Sequence, residues 1–430
     1  MNDMSARPAP ADLRTHDERL AAARATFEAE LTRGATLQLD ACIHCGSCAE
    51  ACPFHAATGD AKYTPQAKIE PLRRMYRCEV GPFAWFHRLV SEPLGYEELE
   101  AWQELVYDSC TMCGRCTLAC PMGIDIAALV GIARHGLFAA GLAPEGLHQV
   151  AERAHREGSP LGATPAVLKE RIDWLADEHA VAIHVDAPRA DVLLTLSSIE
   201  IMKYPTSIVA MARILERSGA SWTLSTRGYE ATNFGLLAGA VAWQRESTMK
   251  VIEAAIACGA STVIVPECGH AYSALRWQGA SMLGRALPFR VLHITEFIAE
   301  SLARGRIRVK RTQGSVTFHD PCQVSRRGGA TAAPRAVLDA LGLERREPAD
   351  SGDLGFCCGG GGGVIANPRA DALRYKAYEI RSAQLRATGA DRTVTSCANC
   401  RQAFDDGATH FGERPAVGSL TELVADHLVE

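Results

Sequence analysis

Thirteen of the sixteen cysteines in this chain fall into three clusters, and their spacing names the chemistry they could do. The first, "CIHCGSCAEACP", runs from Cys42 to Pro53, and the second, "CTMCGRCTLACP", from Cys110 to Pro121. Both read C-x2-C-x2-C-x3-C-P, the spacing of bacterial-type four-iron, four-sulfur ligation. Three thiolates on one short loop hold three irons of a cuboidal core, and the fourth cysteine reaches the other core. On that rule cluster one takes Cys42, Cys45, Cys48 and Cys120, and cluster two takes Cys110, Cys113, Cys116 and Cys52. Gly46 and Gly114 suit the tight turn where backbone amides approach sulfide. A pair of zinc sites is the competing reading, but zinc usually takes four ligands as two separated pairs. A cubane cluster fully ligated by cysteine has no open iron, so this region is expected to move single electrons.

The third cluster is spread over "HDPC" (319–322), "GFCCGGGGG" (355–363) and "SCANC" (396–400). It supplies Cys322, Cys357, Cys358, Cys397 and Cys400 as C-x34-CC-x38-C-x2-C. The residues alone leave several readings open. Four of the five could bind zinc, and "SCANC" could be a redox pair. The glycine run could cradle phosphate, but it lacks the Lys-Ser/Thr of a P-loop and the spaced glycines of a dinucleotide fold. Cys78, Cys258 and Cys268 stand outside the clusters, and a lone cysteine such as Cys78 is most often a small core residue.

The rest of the composition narrows the class. The chain has 430 residues, enough for about three domains. A net charge of −5 and a pI near 6.3 argue against a dedicated nucleic-acid binder. The basic run "RGRIRVKR" (304–311) reads as a solvated linker or edge strand. The most apolar stretch, 251–265, is broken by Glu253 and Gly259 and reads as helix, stop and strand rather than a membrane span. The N-terminus lacks a basic start and apolar core, so a cytoplasmic protein is expected, reaching a membrane only through a partner. In a reducing cytoplasm clustered cysteines mean metal or redox work.

The elements that must position these cysteines fall into two textures. Between the first two motifs lies an insert rich in helix formers (68–109). From about 190 short apolar runs alternate with helical patterns: strands at 191–198, 221–226, 261–265, 315–320 and 392–396, helices at 206–219, 247–259, 333–342 and 369–389. Strands alternating with helices predict parallel-sheet units. The two halves of this region read as copies of one unit. In that alignment Ser198 replaces Cys322, Glu230 and Ala231 replace Cys357 and Cys358, and Cys268 matches either Cys397 or Cys400.

The N-terminal motifs with their helical insert resemble the alpha-helical ferredoxin domain of succinate dehydrogenase and heterodisulfide reductase. The five-cysteine pattern resembles the cysteine-rich CCG domain of heterodisulfide reductase, whose five cysteines hold a non-cubane four-iron, four-sulfur cluster. The layout is similar to the D subunit of heterodisulfide reductase, to DsrK of the sulfite-reduction membrane complex, and to iron–sulfur subunits of glycolate oxidase and anaerobic glycerol-3-phosphate dehydrogenase. It implies a multidomain fold, an alpha-helical ferredoxin domain followed by two tandem α/β CCG units. The expected boundaries are a flexible or helical N-terminus (1–35), the ferredoxin domain (36–150), a degenerate first CCG unit (190–303) and an intact second unit (313–430). "PECGHAY" (266–272) looks most like the DsrK-type branch, so two cubane clusters and one non-cubane cluster are expected.

The resemblance implies an iron–sulfur disulfide or heterodisulfide oxidoreductase subunit. Single electrons would pass through the cubane clusters to or from a centre held by Cys322, Cys357, Cys358, Cys397 and Cys400, whose open irons engage a substrate sulfur. The substrate would be a small-molecule or protein-borne disulfide or trisulfide. Cys268 and His270, from the facing unit, are candidates to line the same cleft, with His270 as proton donor or simply a packed histidine. His319 and Asp320 read as loop stabilisers, and His44 as a tuner of cluster potential. The expected partners are a membrane cytochrome b subunit or a flavoprotein, since no flavin fingerprint occurs here. Two alternatives remain open: a non-catalytic electron-transfer subunit of a glycolate-, lactate- or glycerol-3-phosphate-type flavin dehydrogenase, and a zinc scaffold.

Overall fold

A computed structural model describes residues 15–230, 232–414 and 416–429. Ala231 and the first fourteen residues, which hold part of the expected N-terminal segment, lie outside the described residues. The chain divides into two compact units.

The first unit takes the chain up to Gln149 together with Leu236–Val241 and Gly361–Ala377, so it is discontinuous in sequence. Up to Gln149 it is helical, as the insert's composition predicts. Thr15 caps His16–Glu30 with a capping box, and Pro opens Pro65–Met75 at the position where a missing N–H costs nothing. Phe27 meets Trp102 with ring centroids 5.7 Å apart, and the Trp102 indole donates to the Lys68 carbonyl at 2.7 Å. Buried Arg134 binds the returning segments. Its guanidinium donates to the carbonyls of Val106, Cys110, Leu237 and Gly362, at 2.6–2.9 Å. Gly362 sits at φ +62, and a Cβ there would lie 2.7 Å from the Thr111 carbonyl carbon. Only glycine allows that approach.

The second unit carries two four-stranded parallel sheets. The first contains β1 (Val192–Leu194), β2 (Trp222–Thr223), β3 (Thr262–Val265) and β4 (Arg290–His293), in the order β2-β1-β3-β4. The second contains β5 (Ser315–His319), β6 (Glu344–Arg345), β7 (Arg392–Thr395) and β8 (Val417–Ser419), in the order β6-β5-β7-β8. The identical order is the repeat read from the sequence. One continuous core, from Leu194, Ile264 and Leu292 to Phe318, Val394 and Leu420, joins the sheets.

Several elements are shorter than their apolar runs. The run at 191–198 yields only three strand residues, because Ser197 caps helix Ser198–Met202 through a capping box with Glu200. β4 and β8 had no sequence signal of their own; each is short and runs at once into a helix, capped by His293 and Ser419. The segment 304–311 is turn and coil, with one isolated bridge from Val309 to Leu428. The described residues contain no helix long and apolar enough to cross a membrane.

Candidate metal centres

In the first unit the eight motif cysteines separate into two sets of four. Cys42, Cys45, Cys48 and Cys120 line one cavity; Cys52, Cys110, Cys113 and Cys116 line another. Each set takes three cysteines from one motif and the fourth from the other. The loops are copies of each other. His44 and Met112 take φ of 55° and 54° at the same motif position, and Gly46 and Gly114 follow at φ +80 and +73. Each glycine caps a short helix, Ser47–Ala51 or Arg115–Ala119. Such loops aim successive thiols inward.

The charges beside the second cavity suit an anionic occupant. Lys68 is almost fully buried, with its ammonium 3.4 Å from Cys52 Sγ and against the Ser109 carbonyl. Burial alone pushes its pKa down, but the sulfurs of Cys52, Cys110 and Cys116 outweigh that and raise it. A buried ammonium facing thiolates fits a thiolate-ligated cluster, which carries negative charge. At the other cavity the His44 imidazole meets the Arg73 guanidinium and lies 3.5 Å from Glu70.

In the second unit the five remaining clustered cysteines come from the turn after β5, the glycine-rich loop and the start of helix Ala398–His410, and all are buried. Cys358 Sγ lies 3.4 Å from Cys400 Sγ, and the Gly359 amide donates to Cys357 Sγ at 3.4 Å. Cys400 and the Gly269 amide lie close enough to Cys397 to lower its pKa to about 7. Cys322 lies on the turn after β5, where its neighbour Arg326 ties that turn to the Gly355 carbonyl at 2.6 Å, just before the vicinal pair. Gly359 takes φ +85, the left-handed region that favours glycine. None of the sixteen cysteines is paired in a disulfide.

Two residues beside this centre escaped the sequence reading. His319 shares a compact group with Cys358 and Cys400, their ligand atoms all within 4.8 Å. Its Nδ1 accepts from Arg381 Nε at 3.0 Å, which leaves Nε2 as the protonated nitrogen. Burial holds His319 well below its ordinary pKa, so the ring is neutral. Arg381 is fully buried, its pKa lowered to about 10 by burial, and its Nη2 has no hydrogen-bond partner among the described residues. A buried guanidinium with an orphaned N–H beside thiolates fits an iron–sulfur cluster better than a neutral thiol pair. His319, read as a loop residue, therefore faces the site. Asp320 does hold its loop, paired with Arg335 at 2.8 and 3.0 Å and accepting from the Gly352 amide.

The lone cysteines divide as well. Cys78 is fully buried in a π-helical turn, and Cys258 is packed in the core beneath the first sheet. Cys268 is the N-cap of helix Gly269–Leu283, as Cys397 is of Ala398–His410. That settles its register: Cys268 corresponds to Cys397. His270 lies half-buried in the first turn of the same helix.

Comparison with known proteins agrees with this division. Residues 38–124 match the 4Fe-4S dicluster domain family, and residues 316–405 match the CCG family, described as a cysteine-rich domain. The chain thus carries a region similar to the 4Fe-4S dicluster domain ahead of a region similar to the cysteine-rich CCG domain. It resembles the D subunit of heterodisulfide reductase and the Hdr-like iron–sulfur subunits, which are subunits of oxidoreductases. It is 28% identical to the Hdr-like menaquinol oxidoreductase iron-sulfur subunit 2 of Archaeoglobus fulgidus, covering 93% of this chain and 81% of that one. It is 27% identical to the D subunit of the dihydromethanophenazine:CoB–CoM heterodisulfide reductase of Methanosarcina barkeri, covering 93% and 96%. The EtfAB:quinone oxidoreductase of Syntrophomonas wolfei is 27% identical over 90% of this chain and 58% of its own length.

Proposed function

We propose that this chain is the disulfide-active iron–sulfur subunit of a multi-subunit oxidoreductase. The carrying observation is the convergence of Cys357, Cys358, Cys397 and Cys400, with His319 and Arg381, in one buried site. Two cubane clusters on the N-terminal cysteines would pass electrons one at a time, and a non-cubane cluster on the five C-terminal cysteines would offer iron to a substrate sulfur. The chain's own residues set the conditions. Arg381 offsets the charge of the thiolates, and the neutral His319 can donate from Nε2 toward sulfur. Burial excludes water, which strengthens both interactions. The substrate class is a small-molecule or protein-borne disulfide, and the partners are a membrane cytochrome b subunit or a flavoprotein.

A second reading is favoured by the EtfAB:quinone oxidoreductase relative: a relay of electrons from a flavoprotein, with no substrate sulfur bound. The two separate in one measurement, the EPR spectrum of anaerobically prepared oxidised protein with and without thiols. A paramagnetic signal that changes on thiol binding supports the disulfide reading. Cubane signals alone, unmoved by any thiol, support the relay.

A further inference from the structure

The first half of the repeat lost most of its cysteines, yet its site is still built. Leu194 and Phe318 hold the same place in the two sheets, paired with Ile264 and Val394, and Ser198 and Cys322 each follow four residues later. The Ser198 hydroxyl bonds to the Glu230 carboxylate and meets the Ser159 hydroxyl at 2.7 Å. The other Glu230 oxygen accepts the Thr232 amide at 2.7 Å, and Thr232 carries its hydroxyl beside this carboxylate. That hydroxyl lies 3.6 Å from Cys268 Sγ. The residue before it, Glu267, accepts the Ala398 amide at 2.7 Å, which sets Cys268 beside Cys397 of the five-cysteine centre. On its outer side Glu230 borders a surface cavity of about 500 Å³, lined also by Arg156, Glu157, Arg227 and Lys250.

We propose that Glu230 takes up a proton from this cavity as the five-cysteine centre gains charge, and hands it through Thr232 to Cys268 at the edge of that centre. The proposal rests on the disulfide reading above. Two-electron reduction of R–S–S–R gives two thiolates, and each takes one proton; the electrons come through the N-terminal clusters from a reduced quinol or flavoprotein partner. In each transfer the Glu230 proton passes to Thr232 Oγ, the Thr232 hydroxyl proton passes to Cys268, and the Cys268 thiol proton passes to the product thiolate. Water in the cavity restores the Glu230 proton, so the chain's own atoms end as they began.

The surroundings allow Glu230 to work in both directions. Burial pushes its pKa up to about 7, against hydrogen bonds from Ser198 and Thr232 that pull it down. The charged and titratable groups around it are Arg156 and Glu157 from helix Glu145–Glu157, Lys250 from helix Val241–Ala257, and Arg227 and Tyr229 on its own loop. Lys250 is already paired with Glu246 at 2.8 Å. On the inner side stands Cys268, with Glu200 acting on it from behind.

The test is an EPR-monitored redox titration of the cluster-loaded protein between about pH 6 and 8.5. The potential of the five-cysteine centre is expected to fall with rising pH by up to a tenfold change in its equilibrium per unit, about 59 mV for one electron. Glu230→Gln flattens that slope and leaves the N-terminal clusters unmoved, while Glu230→Asp restores it. A pH-independent wild type, or an unchanged slope in Glu230→Gln, overturns the proposal. Should Glu230→Gln fail to fold, Thr232→Val decides. It keeps the equilibrium slope but slows product-thiol formation on the order of a hundredfold, and a wild-type rate in that variant overturns the relay. If thiols leave the EPR signal unmoved while the slope behaves as stated, the proton coupling holds and the disulfide reading fails. If thiols perturb the signal but no slope exists, the relay alone fails.

Discussion

Replacing Lys68 by methionine removes one buried positive charge beside the second N-terminal cavity and keeps most of the side-chain volume. The ammonium lies 3.4 Å from Cys52 Sγ and 5.4 Å from the Phe54 ring centroid, with little water access. An electron added to a cluster there is spread over the core, so its mean distance from the charge is about 6 Å, and at an effective dielectric of about 20 the attraction is about 2.8 kcal/mol. That is about two factors of ten in the reduction equilibrium, or about 120 mV for a one-electron couple. Lys68→Met is therefore expected to lower the potential of the cluster on Cys52, Cys110, Cys113 and Cys116 by about 100 mV or slightly more. The cluster on Cys42, Cys45, Cys48 and Cys120 should move far less. The assay is an EPR redox titration of the anaerobic protein, with iron content checked to show that both clusters remain. If the second cluster's potential stays within error of wild type while its iron is intact, the assigned role of Lys68 as counter-charge is wrong. If the other cluster moves instead, the fourth ligands are not exchanged as read.

Three further outcomes follow from buried groups. Arg134→Met strips the partners from the carbonyls of Val106, Cys110, Leu237 and Gly362 and should cost about 3–5 kcal/mol in denaturant unfolding. Glu267 accepts the amide and hydroxyl of Thr421 at 3.0 and 2.8 Å, and burial pushes its pKa from 4.5 up to about 7. The folded state then binds the extra proton between those values, so stability falls as pH rises from about 4.5 through about 7, by on the order of 3 kcal/mol from this group. Glu267→Gln should flatten that part of a stability–pH curve measured by thermal unfolding. Cys358→Ser should lose about one cluster's worth of iron, about four atoms, whereas Cys78→Ala should keep full iron, since Cys78 packs in the core; iron quantification of both variants reads the difference.

Much of this was legible because iron–sulfur ligation is local. The two C-x2-C-x2-C-x3-C-P runs fix their own loops, and both loops turn at the predicted glycines, Gly46 and Gly114. The duplicated α/β order was also readable, since Gly219, Gly259 and Gly389 end three of its helices at positive φ. What stayed hidden depends on long-range contact. Lys68 is one lysine among helix formers until it meets Cys52 and Ser109. Arg134 gains its meaning from Leu237 and Gly362, 103 and 228 residues away. Arg381 sits in a helical pattern that gives no hint of His319, 62 residues earlier. β4 and β8 are too short for periodicity to register.

The two halves of the second unit show why a duplicated fold can carry asymmetric chemistry. Deleting thiolates from a cluster site leaves an interior hole lined by polar backbone, which is costly unless new groups satisfy one another. In the first half Ser198, Glu230 and Thr232 do so, with Ser159 closing the outer end. Cys268 alone remains of the thiols, and it caps its helix as Cys397 caps its own. The backbone places these side chains at positions set by the same register of β1 on β3 as of β5 on β7. A carboxylic acid held near neutrality there can exchange protons, which a thiolate bound to iron cannot. On the disulfide reading proposed above, a reaction of two electrons and two protons would draw its electrons through one half of the repeat and its protons through the other.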